Sequence, residues 1–197
     1  MNIEAVVLAA GYSSRAESFK MELDLHGKTV IERCIEGMND LCSRIIVVGG
    51  YKIEKIQEVL GRYAKVEVVL NRRYPEGMFT SVKEGARHVR GDRFFFTPGD
   101  YPLISGEVCR RLLAMDGEIV IPVYGGKKGH PVLLSGAIAA ELLREDDSYN
   151  LRDFIIRKGY QTLAVEDEGI LLDLDTPQDY QRILERSRPR MQGGRIS

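Results

Sequence analysis

Apolar residues run in short unbroken stretches along this chain, and segments of helical spacing lie between them. The stretches at 4–9, 44–48, 66–70, 94–97 and 118–123 have strand length and little alternation, the pattern of strands buried on both faces. Val30, Ile31, Cys34, Ile35, Met38 and Leu41 recur at helical steps and predict a helix beginning near Lys28. Ile53, Ile56, Val59 and Leu60 predict another after Gly49 and Gly50. Val108, Leu112 and Leu113 predict a third behind Ser105, a residue type that caps helix N-termini. A further helix begins within 77–81 and has Val82 and Ala86 on its apolar side. Strand–helix–strand alternation predicts right-handed crossovers and an α/β fold, with a mainly parallel sheet covered on both faces.

The pattern changes after Val123. Residues 124–131 read as a glycine-rich turn, and 132–134 as a returning strand. Short helical segments follow at 136–144 and 150–158, then two strand-like runs at 161–165 and 170–174. Thr176 and Pro177 predict the last helix, threonine as its cap and proline in its first turn. No repeat or linker interrupts residues 1–187, which read as one domain, while 188–197 lack periodicity and read as a flexible tail.

Composition narrows the function more than the fold. A chain of 197 residues with 44% apolar and 29% charged residues is of ordinary globular type. Its formal net charge of −1 gives no general attraction to nucleic acid or anionic membrane, so any anion site must be local. No apolar run has the length of a membrane span, and no basic segment precedes the short apolar run at the N-terminus. Cys34, Cys42 and Cys109 are few and widely spaced, which fits reduced thiols in the cytoplasm.

Four polar clusters fall at or near strand ends, where open parallel sheets collect ligands: 11–20, 71–81, 97–102 and 173–175. The first lacks both the P-loop and the dinucleotide pattern. It offers backbone N–H groups freed by Gly11 and small serines, then Arg15 and Lys20, which suit phosphate oxygens; an exposed polar turn is the alternative. Asp100 follows a Phe-Phe-Phe strand and offers a hard oxygen ligand for Mg²⁺, or else a turn or cap carboxylate. Asp173 and Asp175 stand two apart on an expected strand and should share a face. Ser81, in the first turns of its helix, either reads a polar ring or ribose or belongs to an N-terminal cap. His130 lies in a Gly–His–Pro turn, where an exposed histidine without chemistry is the commoner case.

Together these segments resemble the nucleotidyltransferases that make nucleotide forms of the molybdenum cofactor. LAAGYSSRAESFK is similar to the signature LAAG-x-S-x-R-x-G-x-x-K, and GMFTSVKEG, PGDYPLIS, GKKGHPVLL and DLDTPQDY follow in the family's order. The resemblance spans residues 3–184, and the GHP block is similar to the molybdenum cofactor cytidylyltransferase branch. It implies a Rossmann-like three-layer α/β/α fold of nucleotide-diphospho-sugar transferase type. It also implies transfer of CMP from CTP to the terminal phosphate of molybdopterin cofactor, with release of pyrophosphate. By the same resemblance Leu8, Ala9, Ala10 and Gly11 lie against the nucleotide, and Arg15 meets its β- and γ-phosphates. Lys20 neutralises the α-phosphate and the attacking phosphate, Asp100 and Asp175 hold Mg²⁺ (or Mn²⁺), Ser81 contacts the cytidine, and His130 lines the acceptor side. Catalysis then rests on Arg15, Lys20 and Asp100. A recipient molybdoenzyme is the implied downstream partner, with no part for nucleic acid or membrane. The chain departs from the signature at Glu17, where the family has glycine, and in the polar stretch 21–24. Guanylyl or sugar-1-phosphate nucleotidyl transfer, and non-catalytic delivery of nucleotide or molybdopterin, are the competing readings.

Overall fold

The computed structural model describes residues 1–11 and 19–187; Arg15, Glu17 and the tail 188–197 lie outside the described residues. Its strands are β1 (Ile3–Ala9), β2 (Arg44–Gly49), β3 (Val66–Leu70), β4 (Arg93–Pro98), β5 (Ile119–Tyr124), β6 (Lys127–Lys128), β7 (Val132–Ser135) and β8 (Gln161–Ala164). Its helices are α1 (Val30–Asn39), α2 (Ile53–Leu60), α3 (Met78–His88), α4 (Gly106–Leu113), α5 (Gly136–Arg144), α6 (Leu151–Lys158) and α7 (Pro177–Arg186).

The strands form one sheet in the order β3-β2-β1-β4-β7-β5-β6, with β8 also beside β5. β1 is parallel to β2 and β4, and β2 to β3. β7 runs against both β4 and β5, so β5 and its parallel neighbour β8 point the same way as β4. Side chains alternate across the pleat. Ala5, Val7, Ala9, Ile45, Val47 and Phe95 pack on one face against Ile35 and Met38 of α1, Leu60 of α2 and Leu112 of α4. Val6, Leu8, Ile46, Val48, Phe94 and Phe96 pack on the other against Val82 of α3, Ile138 of α5 and Phe154 of α6. This is the expected three-layer arrangement. All three cysteines are free and buried, and among the described residues no helix is long and apolar enough to cross a membrane.

The helix starts follow from local chemistry. Thr29 and Glu32 form a reciprocal capping box on α1, and Thr176 and Asp179 form another on α7, with Pro177 in its first turn. Ser105 caps α4 by accepting from the Val108 N–H.

One expected strand is absent. Residues 170–174 do not join the sheet: 168–171 form a short 3₁₀ turn and the chain then runs on alone. Their backbone bonds go to loops instead. Ile170 accepts from the His130 N–H at 2.9 Å, and Leu174 donates to the Asp100 carbonyl at 3.0 Å. Leu172 and Leu174 are buried with Leu25, Val30 and Ile183, which ties α7 to the front of the molecule. Hydrophobic periodicity read burial correctly there but not its partner.

Candidate functional site

The carboxyl ends of β1, β4 and β5 and the amino end of antiparallel β7 share one edge of the sheet. Leu8, Ala9 and Ala10 are buried where β1 ends, and Gly11 beyond them is exposed. Gly99 donates to the Leu8 carbonyl at 2.8 Å, and a Cβ there would lie 2.8 Å from Ile31 Cδ1. A Cβ there would also come within 3.2 Å of the Leu8 carbonyl oxygen, so the absence of a side chain eases the close passage that holds Asp100 beside the end of β1.

Lys20 opens a short 3₁₀ turn, residues Lys20–Glu22. Phe19 and Met21 on either side are buried, and Glu22 pairs with Lys55 at 2.5 Å, so the lysine is presented from an anchored segment. Its Nζ lies 2.5 Å from Asp100 Oδ2 and 3.1 Å from Asp175 Oδ1. Burial acts to lower the Lys20 pKa, but the two carboxylates outweigh it and hold the ammonium above its usual range. Asp173 stands half-buried nearby. Burial and the charges of Asp175 and Asp100 raise its pKa, although no strand aligns it with Asp175 as expected.

The second oxygen of Asp100, Oδ1, is buried and has no hydrogen-bond partner among the described residues. A buried acceptor without a donor is costly, and such atoms mark functional sites often enough to need an explanation. Among the described residues no three acidic, histidine or cysteine groups are placed to hold a metal by themselves. Two carboxylates, with substrate phosphates and water completing the shell, are the usual protein share of a Mg²⁺ site. The free oxygen of Asp100 and the exposed Asp175 fit that share.

His130 is not in an exposed, flexible turn. It is half-buried, its peptide bond to Pro131 is cis, and its ring packs on Tyr101 with centroids 4.6 Å apart. Burial pushes the imidazole down to about 4, against weaker opposing effects of the Phe96 carbonyl and Asp100. Burial, with Asp173, Asp100 and Asp175 around it, pushes the Tyr101 phenol up. Both rings are therefore neutral near pH 7. The exposure expectation failed because it treated the glycines as freedom, whereas the His130 N–H is tied to the 3₁₀ turn.

Ser81 is 3% exposed in α3, and its hydroxyl accepts from Asn71 Nδ2 at 2.9 Å. Asn71 follows β3 directly and is buried to the same degree. The pattern gave Asn71 no role of its own; its signal was a lone amide at the end of an apolar strand. Of the residues singled out, Lys20, Asp100 and Asp175 meet directly, while Ser81 belongs to the β3–α3 side of the same edge. The departures at 21–24 have structural partners: Glu22 pairs with Lys55, and Asp24 accepts from the Gly27 N–H.

Residues 5–162 match the family described as MobA-like NTP transferase domain. Molybdenum cofactor cytidylyltransferase of Escherichia coli K12 is 31% identical over 186 residues, covering 93% of this chain and 96% of that protein. A probable molybdenum cofactor guanylyltransferase of Natranaerobius thermophilus is 29% identical over 135 residues, 64% of this chain and 62% of the other. A nucleotidyl transferase structure from Methanothermobacter superposes with a TM-score of 0.82 at 25% identity, covering 94% of this chain and 97% of the other. The chain belongs to the MobA-like NTP transferase family.

Proposed function

We propose that this chain transfers CMP from CTP to the terminal phosphate of molybdopterin cofactor and releases pyrophosphate. The observation that carries the reading is the meeting of Lys20, Asp100 and Asp175, from three remote segments, at the ligand edge of the sheet. Identity of 31% to a cytidylyltransferase over 93% of the chain, against 23% and 25% to guanylyltransferases over 93% and 90% of it, favours cytosine.

In this reading an oxygen of the acceptor phosphate attacks the α-phosphorus of CTP in line, and the bond to the β-phosphate oxygen breaks. No protein nucleophile is needed; positioning and charge neutralisation suffice. Leu8, Ala9, Ala10 and Gly11 bound the nucleotide, and Arg15 grips the β- and γ-phosphates. Lys20 spends two of its three N–H donors on Asp100 and Asp175, and the third is available to the α-phosphate and its attacker. Asp100 and Asp175 would hold Mg²⁺ or Mn²⁺, which supplies charge neutralisation for the departing pyrophosphate. His130, neutral at pH 7, offers the acceptor a hydrogen-bonding group without adding charge. Ser81 reads the cytidine. The product is passed in the cytoplasm to a molybdoenzyme.

The test is pyrophosphate release with molybdopterin cofactor, Mg²⁺ and equimolar CTP and GTP, with the dinucleotide product identified by mass. The cytosine product should dominate. Equal use of GTP overturns the base assignment, and absence of pyrophosphate favours a delivery protein.

A further inference from the structure

We infer that Asn71 is a positioning residue that sets Ser81 as a hydrogen-bond donor toward an acceptor atom of the nucleotide base. The inference rests on the proposed CTP site and deepens it. Its basis is proton accounting in a buried cluster, where Asn71, Thr80 and Ser81 are 3%, 4% and 3% exposed.

Asn71 accepts from the backbone N–H of Arg73 at 2.9 Å. A backbone N–H can only donate, so the atom facing it must be the amide oxygen, and the NH₂ faces the other way. That NH₂ lies 2.9 Å from Thr80 Oγ1 and 2.9 Å from Ser81 Oγ. Both amide protons are thereby used, and both hydroxyls act as acceptors. Thr80 passes its own proton to the carbonyl of Gly77 at 2.8 Å or Arg73 at 2.9 Å. The Ser81 proton has no acceptor among the described residues. A nearly buried hydroxyl with one lone pair filled and its proton unspent is poised to donate.

Position selects the base over the phosphates. In the order β3-β2-β1-β4, Asn71 at the end of β3 stands three strand spacings from Asp100 at the end of β4. At the usual spacing this is about 14 Å, beyond a phosphate gripped by Lys20. Cytosine presents acceptors at its ring carbonyl and ring nitrogen, and the Ser81 proton meets one of them.

Asn71→Asp keeps the side chain's shape and reverses its polarity. The carboxylate still accepts from Arg73, but it now takes the Ser81 proton instead of supplying one. Ser81→Ala removes the donor without adding charge and spares the helix. Binding is measured by calorimetry with Mg²⁺ for CTP, inorganic tripolyphosphate and ribose 5-triphosphate, with thermal unfolding as the check on folding. Each variant should weaken CTP by about tenfold, the worth of one hydrogen bond. Tripolyphosphate and ribose 5-triphosphate should stay near wild-type affinity, and the double variant should be no weaker than Asn71→Asp alone. Wild-type CTP affinity in either single variant overturns the inference, as does a parallel loss of tripolyphosphate or ribose 5-triphosphate. If the wild-type protein itself does not bind CTP, the functional reading fails and this inference with it. If CTP binds and only the variants behave otherwise, the inference alone fails.

Discussion

Both edges of the sheet bury a carboxylate oxygen, and the two groups are treated in opposite ways. At the amino edge Glu4, 3% exposed, is saturated. Its Oε1 accepts from Arg44 Nε at 3.1 Å, and its Oε2 accepts from the backbone N–H groups of Arg90 at 2.7 Å and Gly91 at 3.0 Å. Arg44 in turn reaches Glu67 and the His88 carbonyl. At the carboxyl edge Asp100 has Lys20 on one oxygen and nothing among the described residues on the other. A buried charge that is paired and fully hydrogen-bonded fastens a fold, whereas one left half-satisfied costs stability unless a ligand completes it. The contrast marks Glu4 as part of the scaffold and, under the proposed function, leaves Asp100 for the chemistry.

The sharpest break in that comparison is Asp100→Asn. Pyrophosphate release should fall by about 10³-fold, the scale for losing preorganised stabilisation of charge at a reacting phosphate, here through the Lys20 ammonium and the cation that Asp100 would hold. Thermal unfolding should stay within a few degrees of wild type. A loss of stability that tracks the loss of turnover would make Asp100 a scaffold residue too.

Glu4→Ala should do the reverse. Stripping one partner from a buried, hydrogen-bonded ion pair costs about 3–5 kcal/mol, read by urea unfolding, while turnover per folded molecule stays within about twofold. A smaller effect comes from Lys20→Met, which leaves Asp100 and Asp175 facing each other without their ammonium. Added Mg²⁺ should then raise the midpoint of unfolding more than it does for wild type, by about 2–4 °C for a chain of this size. An equal Mg²⁺ response in both proteins would separate the lysine from the cation site.

The smallest effect is the pH response of His130. Its imidazole titrates near 4 in the folded state against 6.5 when free. Folding therefore favours the neutral ring: its contribution is complete above pH 6.5 and is lost as pH falls toward 4. Between pH 7.5 and 5.5 wild type should lose about 1 kcal/mol more than His130→Gln. Equal slopes would mean that the ring is solvated.

The parallel half of the sheet and its helices were legible because each depends on local signals. Apolar runs gave β1 to β5, and caps such as Thr176 with Pro177 gave helix starts to within a residue or two. Lys20, Asp100 and Asp175 stood out in the sequence by their chemistry and are brought together in the fold, whereas Arg15 and Glu17 lie outside the described residues. Segment 170–174 was misread because its apolar residues are buried by α7 and neighbouring loops, and periodicity records burial without naming the partner. His130 was misread because glycine and proline signal a turn and carry no information about what packs on it.

By itself, then, the sequence determined the alternation of strands and helices, the crossing of the sheet by two apolar faces, and the family signature. Each of these is written within a few residues of chain, in propensity, period and side-chain chemistry. Tertiary structure alone decided that Lys20 meets Asp100 and Asp175, 80 and 155 residues away. It also decided that His130 packs against Tyr101 and is neutral, and that Asn71 spends both amide protons so that Ser81 keeps its own. Those outcomes depend on distances of a few ångströms between remote segments and on which donors are already used, and only packing sets either.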